Sequence, residues 1–211
     1  MKIVIGILLV ILGTYLVGFF LPQSYEVSRS IVIAAPKAEV HATLQDVTTW
    51  KDWSAFVPFG DSAADVHSKF EGPQAGAGAT WIWGRNLGDK PARFEVLASD
   101  VNWGIGYKLE LDGGRVTSDG EILLQDTNAG GTTVTFVNGG EMPTPWRRYF
   151  YFIAEKAVGP ALSQSLEGLK VRLDGGDVPA QQGGAVGNPN GQNSPKNAQE
   201  PVPAGTPAGT E

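Results

Sequence analysis

The apolar run at the start of the chain is the feature that most restricts what the chain can be. From Ile3 to Leu21 the sequence contains no charged residue and no proline. A helix of this length would be about 28 Å long, which is close to the thickness of a bilayer's hydrocarbon core. Pro22 follows and favours a helix end there. The pattern predicts one transmembrane helix within residues 1–22.

A cleaved signal peptide and a buried core helix are the alternatives to this anchor. The apolar part of a signal peptide is about 7–15 residues long and ends in small residues around the cleavage site. The stretch from Leu21 to Tyr25 has no small-x-small pattern, so the uncleaved anchor is favoured. Lys2 and the amino terminus form a short positive flank, which predicts a cell-membrane protein with an extracytoplasmic domain.

Composition excludes several classes of site. The net charge is −6 and the longest basic run is the pair Arg147 and Arg148, which is not the basic patch of a nucleic-acid binder. The chain has no cysteine and only two histidines, His41 and His67, so thiolate and multi-histidine metal sites are not expected. The sequence indicates no metal, no cofactor and no nucleic-acid partner.

The composition changes again near the end of the chain. Residues 175–211 are rich in Gly, Pro, Asn and Gln and contain no aromatic residue, which is typical of disorder. A spacer is the simplest interpretation of this tail, and binding to the cell wall or to a partner is the alternative. About 150 residues, 23–174, remain for one globular domain.

The middle of the chain alternates between apolar and polar residues over several short runs. This period of two predicts strands, with one face buried and the other in water, as in an antiparallel sheet. A helix is expected after Ala35 and Pro36, and a short helical turn would put Trp50 and Trp53 on one face. The predicted strands are residues 25–33, 65–71, 79–83, 92–99, 106–111, 115–125 and 132–138.

A helical period runs from Pro145 to Leu173. Pro160 is expected to kink this segment or to divide it into two helices. The order of elements predicts an α+β fold in which the terminal helix covers the apolar face of the sheet.

Several short motifs occur in an order that resembles a known superfamily. They are Leu21-Pro22, Ala35-Pro36, Trp50-x-x-Trp53-Ser54, Trp81-x-Trp83-Gly84, Gly140-Glu141-Met142-Pro143 and Gly159-Pro160. The chain resembles, over residues 20–174, the START-like helix-grip superfamily and its membrane-anchored polyketide cyclase/dehydrase-like members. The resemblance implies a curved sheet gripping a long C-terminal helix, with a cavity between them for lipids, sterols, polyketides or other apolar molecules.

Aromatic side chains are the expected lining of such a cavity, because small-molecule sites are mostly apolar. A fully packed core without a cavity is the alternative. Glu141, near the expected cavity mouth, is a candidate polar contact for a ligand. Capping of the turn that follows it, or pairing with Arg147, is the alternative role. The candidate ligand-binding residues are Trp81, Trp83, Phe94, Tyr107, Phe136, Glu141 and Phe150.

Catalysis is a second hypothesis, and its candidate residues are His41 and Glu141. An inward imidazole is a suitable general base, and His41 stands where the resembling family usually has a large apolar residue. A satisfied core histidine is the simpler interpretation, and His67 is expected to be exposed. The leading hypothesis is therefore membrane-tethered binding of a hydrophobic molecule. A cyclase or dehydratase and an envelope interaction protein remain alternatives.

Overall fold

The computed structural model describes residues 2–56, 66–85, 87–128 and 130–175. The predicted tail beyond Gly175 and the predicted strand start at residue 65 lie outside these residues. The 3-10 helices Val47–Thr49 and Arg147–Phe150 directly precede the third and fourth α-helices. The other elements in these ranges are α1 (Lys2–Gly18), β1 (Ser24–Ile33), α2 (Lys37–Gln45), α3 (Trp50–Trp53), β2 (His67–Glu71), β3 (Thr80–Gly84), β4 (Ala92–Asp100), β5 (Gly104–Leu111), β6 (Val116–Asp126), β7 (Thr132–Glu141) and α4 (Tyr151–Leu173).

The apolar run forms α1, which is shorter than the sequence predicted. The helix has 17 residues and ends at Gly18, where the chain tightens into turns closed by the amides of Phe19 and Phe20. A Cβ atom at Gly18 would lie only 2.4 Å from the Pro145 carbonyl oxygen. Across the described ranges, no helix has both the length and the apolar character needed to cross a membrane.

The seven strands form one antiparallel sheet in the order β1-β7-β6-β5-β4-β3-β2. The first strand therefore pairs with the last, and the remaining strands follow as consecutive hairpins. Alternation is visible in residues 105–110 of β5 and 132–139 of β7, where every second residue is buried. The predicted α+β class with an antiparallel sheet and a long C-terminal helix is confirmed.

Aromatic side chains dominate the core beside this sheet. Trp50 and Trp53 are both buried, with ring centroids 4.5 Å apart, and Trp50 lies 4.1 Å from Phe94. Trp81 and Trp83 stack on each other at 4.0 Å. Each of the four indole N–H groups donates a hydrogen bond, so this bulky core leaves none of these donors unsatisfied.

The helix α4 covers the buried face and packs chiefly on β1. Leu162, Leu166 and Leu169 point into the core. Gly168 allows close approach to α3, because a Cβ atom there would lie 2.2 Å from the Trp53 carbonyl oxygen. The helix is continuous through Pro160, so the predicted division into two helices is wrong. Pro160 is exposed. Its ring nitrogen has no N–H to donate to the carbonyl one turn earlier in the helix, and water can donate to that carbonyl instead.

Candidate functional site

A cavity of about 700 Å³ lies between the sheet and the N-terminal half of α4. This volume is within the range that small-molecule sites occupy. Most of its lining is apolar, and the lining residues come from every strand except β2, from α4 and the 3-10 helix before it, and from the loops after α3 and β7. Apolar lining residues include Phe56, Trp83, Leu109, Met142, Phe150, Val158 and Ala161.

Three of the seven predicted ligand-binding residues line this cavity: Trp83, Glu141 and Phe150. The other four lie in the packed core at 1% exposure or less and are absent from the lining: Trp81, Phe94, Tyr107 and Phe136. Strand alternation identifies side chains on the buried face. It does not show which of these side chains pack against Trp50 and which border the cavity beneath α4.

A polar cluster lies on the cavity floor, formed by Tyr25, Tyr107, Ser118 and Asn138. Asn138 Nδ2 donates hydrogen bonds to the hydroxyl oxygens of Tyr107 at 3.0 Å and Ser118 at 3.1 Å. Tyr25 donates to Asn138 Oδ1 at 3.3 Å, and Tyr107 donates to the Val137 carbonyl at 2.9 Å. Tyr25, Ser118 and Asn138 line the cavity, so the floor offers hydroxyl and amide groups to a ligand.

Tyr25, Ser118 and Asn138 were not among the residues predicted for the site, although the sequence carries a signal for two of them. Ser118 and Asn138 occupy positions in the buried phase of β6 and β7, where the neighbouring residues of the same phase are apolar. A polar side chain at such a position needs a hydrogen-bond partner. Such interruptions of the apolar phase indicate a polar site on the buried face.

Gly120 makes room for this cluster. It pairs with Tyr107 on one side and with Asn138 on the other. A Cβ atom at Gly120 would lie 2.1 Å from the Val137 carbonyl oxygen and 2.4 Å from the Tyr107 hydroxyl oxygen. The absence of a side chain lets the Tyr107 ring extend across β6 to reach its acceptor on β7.

Both phenols of the cluster are neutral at physiological pH, and burial further favours their protonated form. Burial raises the pKa of Tyr25, while the hydrogen bond with Ser118 opposes that shift. Burial also raises the pKa of Tyr107, and the hydrogen bond from Asn138 opposes it. At neutral pH the cluster is therefore uncharged and suits a polar but neutral group on a ligand.

His41 lies outside the cavity lining. It is a buried residue of α2 whose Nε2 atom is 3.0 Å from the Ser99 hydroxyl. Burial lowers the pKa of His41, and the nearby Asp100 carboxylate opposes that shift. The geometry is that of a core histidine with a hydrogen-bond partner.

The structure does not bring His41 and Glu141 together. Ser99, the hydrogen-bond partner of His41, lies on β4. The cross-strand pairing through β5 and β6 aligns Ser99 with Phe136 of β7. Glu141 is five residues further along β7, which corresponds to about 17 Å along the strand. Direct proton transfer needs groups about 3 Å apart or one bridging water, so these two side chains do not act on one proton together, and a catalytic role for either residue stays a prediction.

Glu141 lies at the rim of the cavity and is exposed. Within the described residues, no ion pair joins Glu141 to Arg147.

His67 is exposed on β2, at the opposite edge of the sheet from β1. In the part of the chain that is described, no three His, Asp or Glu side chains are grouped as metal ligands would be.

The end of α1 is attached beside the cavity mouth. The buried Arg148 guanidinium donates to the carbonyls of Phe19 at 3.0 Å and Met142 at 3.3 Å, with Gly18 at 3.5 Å. The Tyr149 hydroxyl donates to the Thr14 carbonyl at 2.6 Å. A cation is favoured at a helix C-terminus, where the carbonyl groups lack partners within the helix. These contacts fix α1 next to Arg147, Tyr149 and the other rim residues.

The family model described as polyketide cyclase / dehydrase and lipid transport matches residues 24–174. No curated protein matches the sequence. Three solved structures illustrate the likeness in fold. A protein from Thermobifida fusca has 14% identity and a TM-score of 0.53, covering 70% of this chain and 92% of that one. The KanY protein has 14% identity and a TM-score of 0.52, covering 72% and 99%. A protein from Staphylococcus epidermidis has 16% identity and a TM-score of 0.50, covering 73% and 92%.

Proposed function

The chain belongs to the polyketide cyclase/dehydrase and lipid transport family, and on that premise we propose that it binds a lipid-like or other hydrophobic small molecule in the cavity under α4. The ligand is mostly apolar and carries a neutral polar group that hydrogen-bonds to Tyr25, Ser118 or Asn138. Binding requires no reaction at the site.

The composition of the cavity wall is the observation that carries this proposal. A space of about 700 Å³ is lined mainly by apolar side chains, and one small cluster of hydroxyl and amide groups lies on its floor. Ligand sites commonly combine an apolar wall with few polar groups, because burial supplies affinity and the polar groups set orientation. A polar ligand would leave most of its groups without partners here.

Membrane tethering through α1 is part of the same proposal. The helix has no charged residue after Lys2, and its large apolar side chains from Ile3 to Val17 are 46% exposed or more. Such a continuous exposed apolar surface favours contact with lipid. We place the domain on the extracytoplasmic side, because Lys2 forms a short positive flank. Flotation of the full chain with vesicles tests the tether, and recovery of all the protein in the vesicle-free fraction would contradict it.

Titration with cis-parinaric acid, a fluorescent fatty acid, tests the binding proposal. The full chain in mild detergent should enhance the probe's fluorescence in a saturable way. The cavity variant Ala161→Trp introduces an indole into the cavity lining and should abolish the saturable signal. Gln164→Trp is the matched control, because Gln164 is an exposed residue of the same helix that does not line the cavity. Equal binding by all three proteins would show that the probe binds elsewhere.

A further inference from the structure

The cavity mouth is bordered by a group of exposed apolar side chains at the start of α4. We propose that this surface docks on a lipid bilayer, so that the ligand passes directly between the membrane and the cavity. The docking surface is defined as Trp146, Tyr151, Phe152 and Ile153. The inference rests on the proposed binding function and adds the route by which the ligand enters.

The exposure of these side chains is the first observation. Trp146 is 69% exposed, Phe152 62%, Ile153 54% and Tyr151 46%. Four large apolar residues within eight positions are therefore exposed at one end of α4, and the ring centroids of Tyr151 and Phe152 lie 5.8 Å apart. Exposed apolar groups of this kind mark interaction sites. Trp and Tyr are also the residues enriched at the interface between water and the hydrocarbon core.

The docking surface is continuous with the end of α1. The turn after α1 carries Phe19 and Phe20, which are 53% and 89% exposed. Its backbone is held by Arg148, a residue of the 3-10 helix between Trp146 and Tyr151. The structure therefore places the C-terminal end of α1, with Phe19 and Phe20, beside the segment that carries the docking surface. A membrane that receives α1 would meet the docking surface as well.

Two residues of the docking surface also belong to the cavity. Trp146 and Ile153 line the mouth and are largely exposed, so they would contact both a bound ligand and the membrane. The neighbouring Arg147 is an exposed rim cation and is suited to contact lipid phosphate. This combination of apolar side chains, a cation and α1 favours a bilayer over a second copy of the chain as the occupant.

Site-specific labelling tests the docking directly, and the chain suits it because it has no cysteine. Phe152→Cys and Glu167→Cys would each be labelled with the fluorophore NBD, and the full chain reconstituted into phosphatidylcholine vesicles containing doxyl-labelled lipid quenchers. Glu167 is exposed on the same helix, about 22 Å further along it. The label at 152 should be quenched several-fold more strongly than the label at 167. Equal quenching at the two sites would overturn the proposal.

A charge variant tests the route of the ligand. Tyr151→Glu combined with Phe152→Glu changes two residues that do not line the cavity. Transfer of cis-parinaric acid from donor vesicles should slow several-fold, while Gln164→Glu, on the same helix outside the docking surface, retains the wild-type rate. An unchanged rate in the double variant would contradict the proposed route.

The outcomes separate the inference from the function on which it rests. If the wild-type chain does not bind cis-parinaric acid, the proposed function fails. If it binds the probe but the label at 152 is not quenched, only docking fails. Energy transfer between donor- and acceptor-labelled copies at position 152, without lipid quenching, would assign the surface to contact between copies and overturn the proposal.

Discussion

The Tyr107 hydroxyl oxygen lies 3.0 Å from Asn138 Nδ2, and this contact joins two strands that are separated by β6. Both residues are almost completely buried. The same Asn138 amide also holds Ser118 and Tyr25. One amide therefore forms hydrogen bonds with each of the other polar side chains on the floor of an otherwise apolar cavity. A change at Asn138 affects every member of the cluster.

Replacing Asn138 by alanine should destabilise the protein. The change removes one hydrogen-bond partner from each of three hydroxyl groups at this site, and an unsatisfied buried group costs about 1–3 kcal/mol. Urea unfolding of the full chain in mild detergent measures the free energy of unfolding. Asn102→Ala is the matched control, because Asn102 is exposed and surface changes are usually within about 0.5 kcal/mol. Equal stabilities of the two variants would contradict the role given to Asn138.

Gly120→Ala should also destabilise the protein, because the added methyl group has no space. Its Cβ would lie 2.1 Å from the Val137 carbonyl oxygen and 2.4 Å from the Tyr107 hydroxyl oxygen. Displacing both groups breaks the hydrogen bond between them, and overpacking costs about 1–3 kcal/mol. Gly106→Ala is a suitable control, because its Cβ would meet the nearest side chain at 3.6 Å. A thermal melt that shows no difference between the two variants would refute this explanation.

His41 should make stability depend on pH in the weakly acidic range. Burial lowers the pKa of His41 in the folded state, so the unfolded chain, with a histidine pKa of about 6.5, takes up the proton first. The contribution of this residue is fully present above about pH 6.5 and is lost as the pH falls below that value. The free energy of unfolding should therefore decrease less steeply on acidification in His41→Leu than in the wild type. His67→Gln, which removes the exposed imidazole, is the control, and identical slopes in wild type and His41→Leu would contradict the prediction.

Arg148→Met should loosen the attachment of α1 to the rim. The variant keeps an unbranched apolar side chain but removes the hydrogen bonds to the carbonyls of Phe19 and Met142. Hydrogen bonds from a charged group contribute about 1.5–3 kcal/mol. Hydrogen exchange measured by mass spectrometry should be faster in residues 14–23, while Arg147→Met at the exposed neighbouring position leaves that rate unchanged. Equal protection in the two variants would show that other contacts hold α1.

Local patterns in the sequence predicted most of the fold. The period of two identified the strands of the sheet, since its buried face repeats every second residue. The period near 3.6 identified the helix that covers them. Pro160 does not divide this helix, because it lies on the exposed side of a segment whose other side is packed against β1.

The candidate site was harder to predict because it depends on contacts between distant parts of the chain. Periodicity gave the same inward direction to Phe94, which is in the packed core, and Trp83, which also borders the cavity. The difference arises from where α3 and α4 lie over the sheet. The contact of Arg148 with Phe19 spans 129 positions, and neither residue carries a local signal for it.

Native mass spectrometry of the full chain, purified from cell extract in mild detergent, tests the central claim most directly. We expect the wild type to carry an additional mass that is lost under denaturing conditions. Gln164→Trp should retain that mass, and the cavity variant Ala161→Trp should lack it while melting at a similar temperature. An additional mass that persists in Ala161→Trp, or a wild type that carries none and binds no added cis-parinaric acid, would contradict ligand binding in the cavity.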